Sequence, residues 1–304
     1  MMYLGIDIGG TNVKFGVIDE SYNIIKKYSI PTNAERDADA VSGDIIGKAL
    51  EIVAEYPVEL VGIGCPGRID METGVCISAG NLPFKNYPLR QTVEDALGIR
   101  TRLGNDARCA VFGELYAGAG RECDNFVIIT LGTGVGGGIV INKKPYLGRA
   151  GGAGEIGHIM VDINGKPCKC GQVGCLEHYA SVTALIEQTR EAIKKHPDSI
   201  LARMCEARVS GRSAFEAKRA GCPIGAEVVD KYIGYVAVGV VNASRMLQPD
   251  LVIIGGAISK EGDELIIPLR EKVGPRHPVA ASELCNDAGL IGAVAMARSI
   301  GIAK

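Results

Sequence analysis

Met2-Tyr-Leu-Gly-Ile-Asp-Ile-Gly-Gly-Thr-Asn-Val-Lys-Phe-Gly-Val-Ile-Asp19 reads as a strand, a glycine turn and a second strand. Apolar residues alternate into Asp7-Ile8-Gly9-Gly10-Thr11-Asn12, and Val13, Phe15 and Val17 resume a period of two beyond it. A glycine tip lets backbone N–H groups come up to an anion, because no Cβ obstructs the approach. Taken alone, such a hairpin is equally well an ordinary turn. However, Thr130-Leu-Gly-Thr-Gly-Val-Gly-Gly-Gly-Ile-Val-Ile-Asn142 lays over Asp7 to Asp19 without a gap, with Gly9 on Gly132 and the closing Val-Ile matched. The chain thus holds the same hairpin twice. Two related domains, each presenting an anion-binding turn, are the simplest source of such a repeat, with a boundary near Gly118-Ala119-Gly120.

Gly132-Thr-Gly-Val-Gly-Gly137 also satisfies the G-x-G-x-x-G pattern of dinucleotide folds, as does Gly152 to Gly157. That fingerprint needs a helix after the turn, so that its N-terminus meets a pyrophosphate. Here Gly138-Ile-Val-Ile141 continues as strand, and the second match follows no strand. No G-x-x-x-x-G-K-[ST] sequence is present, which removes the P-loop. A third glycine turn, Leu251-Val-Ile-Ile-Gly-Gly-Ala-Ile258, reads as a buried strand breaking into a helix at Gly255 and Gly256. Adenine or ribose can lie on such a strand end, or the glycines serve only strand-to-helix packing.

Leu103-Gly-Asn-Asp-Ala-Arg108 leads into a helical stretch, Ala107 to Tyr116. Asn and Asp are preferred helix N-caps, so Asp106 has a purely structural explanation. It is also the candidate base, able to accept a backbone bond with one oxygen and a substrate hydroxyl proton with the other.

His158 to Cys175 reads His-x9-Cys-x-Cys-x4-Cys. His158, Cys168, Cys170 and Cys175 can close a tetrahedral zinc site, with ligands at about 2.0 to 2.3 Å and no position left open for catalysis. The metal is therefore structural. Glu155 precedes His158 and Glu177 follows Cys175, so folding on zinc places two carboxylates. Glycines 165, 171 and 174 suit the tight turns of a metal knuckle. The other seven cysteines are scattered singly and read as small buried hydrophobes or surface thiols.

A chain of 304 residues, 47% hydrophobic and 22% charged, can bury a sizeable core. It has no apolar run of membrane-spanning length, and Asp7 with Gly9-Gly10 interrupts any leader, which predicts a cytoplasmic protein without a membrane partner. A formal charge of -2 argues against a nucleic-acid surface.

Together these motifs resemble the ROK family of sugar kinases and repressors. The resemblance implies an α/β fold of the two-domain actin-like, ribonuclease-H-like ATPase type with a structural zinc knuckle. It implies an N-terminal domain over 1–118, completed by a C-terminal helix at 289–304, and a larger domain over 119–288 carrying the zinc loop. Residues 7–14 look like the first phosphate motif, 131–138 the second, 253–258 the adenosine motif, and 155–181 the zinc-bearing signature. ATP, Mg²⁺ and structural Zn²⁺ are the implied cofactors. Gly9, Gly10, Thr11, Asn12, Lys14, Gly132, Thr133 and Gly134 then hold phosphates, Gly255 and Gly256 the adenosine, and Asp7 places Mg²⁺ through water. Asp106 takes the proton of a sugar 6-hydroxyl, Asn105, Glu155, His158 and Glu177 bind the sugar, and Gly67, Arg68 and Asn81 form its opposite wall.

The implied activity is ATP-dependent phosphorylation of a hexose at its 6-hydroxyl, with glucose first and N-acetylmannosamine the alternative if Arg68 reads an acetamido group; fructose ranks third. A non-catalytic sugar sensor is the competing class. A DNA-binding repressor is disfavoured because the first hairpin begins at Met2. The family's habit of dimerising implies a homodimer, with Tyr232, Tyr235, Val236 and Val240 as a dimer face on a helix expected over 228–247. His178 either lines the site or packs near the zinc loop, and His196 and His277 read as surface turn residues.

Overall fold

A computed structural model of the chain describes residues 1–149 and 152–300. The chain divides into two compact units, Met1–Arg121 with Asn286–Lys304, and Glu122–Cys285. The first unit opens with strands β1 (Met2–Ile8), β2 (Asn12–Asp19) and β3 (Ile24–Pro31), helix α1 (Ala38–Glu55), and strands β4 (Val58–Cys65), β5 (Arg68–Asp70), β6 (Val75–Ser78) and β7 (Lys85–Tyr87). Helix α2 (Leu89–Leu97), strand β8 (Thr101–Asn105) and helix α3 (Asp106–Ala117) follow. The second unit holds β9 (Phe126–Leu131), β10 (Val135–Ile141), β11 (Lys144–Pro145), α4 (Glu177–Ala180), α5 (Val182–Lys195), α6 (Ile200–Met204), α7 (Ser213–Arg219), α8 (Pro223–Leu247), β12 (Leu251–Gly255), α9 (Asp263–Val273) and β13 (Val279–Ala281). Helix α10 (Ala288–Ile300) belongs to the first unit again. Positions 301–304 of the expected C-terminal helix lie outside the described residues.

Each unit is built on a five-stranded sheet, in the orders β3-β2-β1-β4-β8 and β11-β10-β9-β12-β13. Both orders run antiparallel through their first three strands and parallel through the rest. The repeat seen in the two hairpins therefore extends to whole sheets. One detail of the ungapped match is corrected. Ile8 pairs with Val13 across the first turn, whereas Leu131 pairs with Val135 across the second. The second turn is one residue shorter, so beyond it Val13 corresponds to Val135 and not to Gly136. Register follows side-chain burial, and both of these valines are buried.

Parallel strands covered on both faces carry near-continuous apolar runs, as in Val61 and Ile63 of β4 or Val252 to Ile254 of β12. The first core gathers Leu4, Ile6, Phe15, Ile45, Ile52 and Ile63. Helix α10 seats itself on this unit through glycines. A Cβ on Gly62 of β4 would collide with the backbone of Ala293, one on Gly5 of β1 with the carbonyl of Leu290, and one on Gly292 with the carbonyl of Cys109 in α3. Backbones that approach this closely leave no room for side chains.

The second core gathers Ile129, Leu185, Phe215, Tyr232, Val236, Val240 and Ile254. Helix α8 starts at Pro223, earlier than periodicity predicts, because proline at its first position needs no hydrogen-bond donor. Its Tyr232, Val236 and Val240 are fully buried, with the Tyr232 hydroxyl donating to Ala180 C=O at 2.8 Å. This corrects their expected place on a dimer face, since they pack inside their own unit. Beyond β12 the chain makes a 3₁₀ turn over Ala257–Glu261 before α9, in place of the expected direct helix. Gly256 at φ +85° turns the backbone against Leu131, where a Cβ would collide with the Leu131 carbonyl.

Candidate active site

The first glycine turn is held from outside by one residue. Gly9 N–H closes the hairpin on Asn12 C=O at 3.0 Å, while Thr32 donates its hydroxyl to Gly9 C=O at 2.6 Å and its N–H to Thr11 C=O at 2.9 Å. Among the described residues, the Gly10 and Thr11 N–H groups donate to nothing. Asp7 and Lys14 face each other across the strand pair, 3.3 Å apart. Burial pushes the Asp7 carboxyl above its ordinary range, and the Lys14 ammonium opposes that shift. Asn81 lies against Gly10, where a Cβ would meet its side chain at 3.6 Å.

At the β8–α3 junction the cap is Asn105, not Asp106. Asn105 Oδ1 accepts from Arg108 N–H at 3.2 Å, and its amide donates to Gly67 C=O at 3.0 Å and to Asp106 Oδ1 at 2.9 Å. Both donor hydrogens of Asn105 are thus engaged, which leaves it an acceptor toward any ligand. Asp106 opens the helix and accepts from Ala107 N–H at 2.9 Å, again on Oδ1. Both recorded bonds fall on one oxygen of a carboxylate that burial pushes above its ordinary range, against the Ala107 bond and with help from the negative Asp7. Gly67 adopts φ +99°, pressed against Ser78 and Ala79. Arg68 is exposed and lines an open hollow of about 540 Å³ with Ser78, Phe84 and Lys85.

In the second unit the zinc-type cluster assembles as its spacing predicts. The ligand atoms of His158, Cys168, Cys170 and Cys175 all lie within 4.8 Å of one another, with Cys170 Sγ to Cys175 Sγ at 3.6 Å and Cys168 Sγ to His158 Nδ1 at 3.7 Å. Tetrahedral zinc with thiolates at about 2.3 Å sets such edges at about 3.8 Å, so the donor set fits the ion. Nδ1 is the nitrogen within the cluster, which leaves Nε2 of His158 for another partner. Burial, with the neighbouring thiols adding to it, pushes the Cys175 thiol up to about 12, a penalty on the thiolate that a bound cation relieves. The knuckle turns on Gly171 N–H to Cys168 C=O and Cys168 N–H to Gln172 C=O, with Gly171 at φ +91°. A β-bridge between Met160 and Cys175 closes it.

The cluster's flanks carry the two carboxylates to different places. Glu155 is exposed at the start of the 3₁₀ turn Ile156–His158. Glu177 accepts from Val135 N–H at 3.0 Å, beside the second glycine turn. Two further bonds tie the same segment to that turn: Val182 N–H to Gly132 C=O at 2.8 Å, and Thr183 hydroxyl to Thr133 C=O at 2.7 Å. Among the described residues, the Thr133 and Gly134 N–H groups donate to nothing. Gly256 of the third turn packs on the Leu131 backbone, which places the second and third turns together. His178 packs with Nε2 buried and unpartnered, and His277 likewise buries Nδ1, unlike the exposed His196. Sequence reasoning missed Thr32 and Thr183. Their partners lie 23 and 50 residues away, and no local pattern records such contacts.

The ROK family profile matches residues 3–300. The chain is 36% identical to a glucokinase of Thermotoga maritima, over 96% of each chain. It is 35% identical to a glucokinase of Halalkalibacterium halodurans, over 95% of this chain and 93% of that one. Among solved structures, a ROK family glucokinase from Streptomyces griseus in complex with glucose and AMPPNP superposes with a TM-score of 0.86 at 32% identity, covering 98% of this chain and 100% of that one. With its repeated five-stranded sheets and its His/Cys cluster, the chain belongs to the ROK family.

Proposed function

We propose that the protein is a glucokinase that transfers the γ-phosphoryl group of ATP to the 6-hydroxyl of glucose. The single observation that carries the chemistry is Asp106, a half-buried carboxylate with a raised proton affinity and both recorded bonds on one oxygen. A base in this state takes the proton of a hydroxyl as it attacks phosphorus, while Oδ1 stays tied to the helix start. The glucokinase relatives and the glucose and AMPPNP bound to the Streptomyces griseus protein support the substrates.

In this reading Gly9, Gly10, Thr11, Asn12 and Lys14 hold phosphates in the first unit, and Gly132, Thr133 and Gly134 in the second. Unengaged turn N–H groups support both assignments. Gly255 and Gly256 support the adenosine. Asp7 orients the water shell of Mg²⁺; the ion, when bound, neutralises charge on the transferring group. Asn81, Gly67 and Asn105 of the first unit are sugar-side groups, Asn105 acting as acceptor. Glu155, Glu177 and His158 Nε2 are those of the second, with His158 Nδ1, Cys168, Cys170 and Cys175 holding structural zinc. A sugar demands several polar groups at fixed angles, and these supply them.

The alternative substrate, N-acetylmannosamine, rests on Arg68, which is exposed and free to reach an acetamido group. We further read the protein as a cytoplasmic homodimer without a nucleic-acid partner. Ten cysteines without a disulfide and a net charge of -2 support this, as do the exposed apolar residues Val238 and Met246 on α8. Coupled ADP release with Mg-ATP against glucose, mannose, N-acetylglucosamine, N-acetylmannosamine and fructose tests the function. Glucose is expected to lead in kcat/KM; a lead for N-acetylmannosamine replaces the substrate, and no turnover with any sugar removes the kinase.

A further inference from the structure

The two glycine turns are secured by the same device. In each, a threonine hydroxyl takes one turn carbonyl and a backbone N–H takes another: Thr32 does both in the first unit, and Thr183 with Val182 does so in the second. A trans peptide carries its C=O and N–H on opposite sides of one rigid plane. Fixing Gly9 C=O therefore aims Gly10 N–H the other way, and fixing Gly132 and Thr133 C=O likewise aims the N–H groups of Thr133 and Gly134. Those three N–H groups make no bond among the described residues. Planes flanked by glycine turn over at low cost, and an overturned plane would present a carbonyl oxygen to an anion. Some restraint from the carbonyl side is needed, and a threonine supplies it twice in unrelated sequence contexts.

We infer that Thr32 and Thr183 are positioning residues that keep the N–H groups of the two glycine turns directed at the nucleotide phosphates, an inference that rests on the ATP-binding part of the proposed function. Thr183 adds a consequence for the metal. It lies in the segment that leaves zinc ligand Cys175 and passes through Glu177, which accepts from Val135 N–H. The zinc knuckle is thus anchored to the second turn by three bonds, and its order reaches the phosphates as well as the sugar-side carboxylates.

The test compares wild type with Thr32→Val and Thr183→Val, and with serine at each position, which restores the hydroxyl. Mg-AMPPNP and glucose affinities are read by titration calorimetry, KM for ATP by coupled assay, and bound zinc by metal analysis. Each valine variant should bind Mg-AMPPNP about three- to tenfold more weakly, the loss of one net hydrogen bond. Each serine variant should return to within about twofold, with glucose affinity and zinc content unchanged. Unchanged nucleotide affinity in a folded Thr183→Val protein overturns the inference, as does an equal loss for glucose and nucleotide, which marks general loosening. Thr32 is fully buried, so if its valine variant does not fold, exposed Thr183 decides the matter. Wild type that binds Mg-AMPPNP yet phosphorylates no sugar removes the kinase and leaves this inference standing; wild type that binds no nucleotide removes both.

Discussion

Asp106 owes its expected chemistry to an asymmetry between its oxygens. Because Oδ1 accepts from Ala107 N–H and the Asn105 amide, an asparagine can keep both bonds with its own carbonyl oxygen while losing the basic site. Asp106→Asn should therefore fold, hold glucose affinity within a few-fold, and lose about 10² or more in kcat. A variant that unfolds while kcat per folded molecule stays unchanged would show that the residue serves only its helix. The proton affinity gives a second test. Burial raises the folded carboxyl above its ordinary value of 3.8, so the folded protein keeps this proton to higher pH than the unfolded chain does. Stability from this group accordingly falls as pH rises from that ordinary value through the raised one, while activity rises over the same window as the base form appears. Asp7 shifts in the same direction and adds to the slope. In Asp106→Asn the slope of melting temperature against pH should shrink but not vanish. An acid limb of kcat centred at or below the ordinary aspartate value would contradict the assignment of Asp106 as the base.

Two elements depend on contacts that tolerate no substitute. The knuckle between His158 and Cys175 has little regular structure apart from its bridges at Met160 and Pro167, and its residues are mostly exposed, so ligand bonds hold it together. Cys168→Ser should release zinc, loosen Glu155 and Glu177 together, and weaken binding of glucose and of nucleotide; retained zinc with normal KM values for both would break that link. Helix α10 depends instead on empty space. Gly62→Ala places a methyl against the Ala293 carbonyl and the Val294 N–H, atoms of a backbone that has nowhere to go. Overpacking of this kind costs about 1–3 kcal/mol, to be read as a lower midpoint in urea unfolding with kcat per folded molecule retained. Gly47→Ala, at a helical glycine with nothing within 4 Å, is the matched control and should not destabilise.

Each of the two units has its own sheet and its own buried cluster, and the metal cluster lies in the second alone. Removing zinc with a chelator should raise amide hydrogen exchange along residues 154–183 and leave β1 to β4 of the first unit protected; equal loss in both units would contradict a local role for the metal. Among the described residues no helix is long and apolar enough to cross a membrane. Much of this organisation was legible in the chain itself. Period-two alternation around Gly9-Gly10 and Gly132, the His-x9-Cys-x-Cys-x4-Cys spacing and the Asn105-Asp106 pair are local patterns, and local patterns act through near neighbours that any reader of the chain can count. Three things were decided only by folding. The second turn runs one residue short, because burial of Val135 and not sequence identity sets the register. The Tyr232 face of α8 points inward, because helical periodicity marks an apolar face without saying whether its partner is the same chain or another. Thr32 and Thr183 reach turns 23 and 50 residues away, and a hydroxyl's partner at that distance is chosen by how sheets and helices pack, which no neighbouring residue encodes.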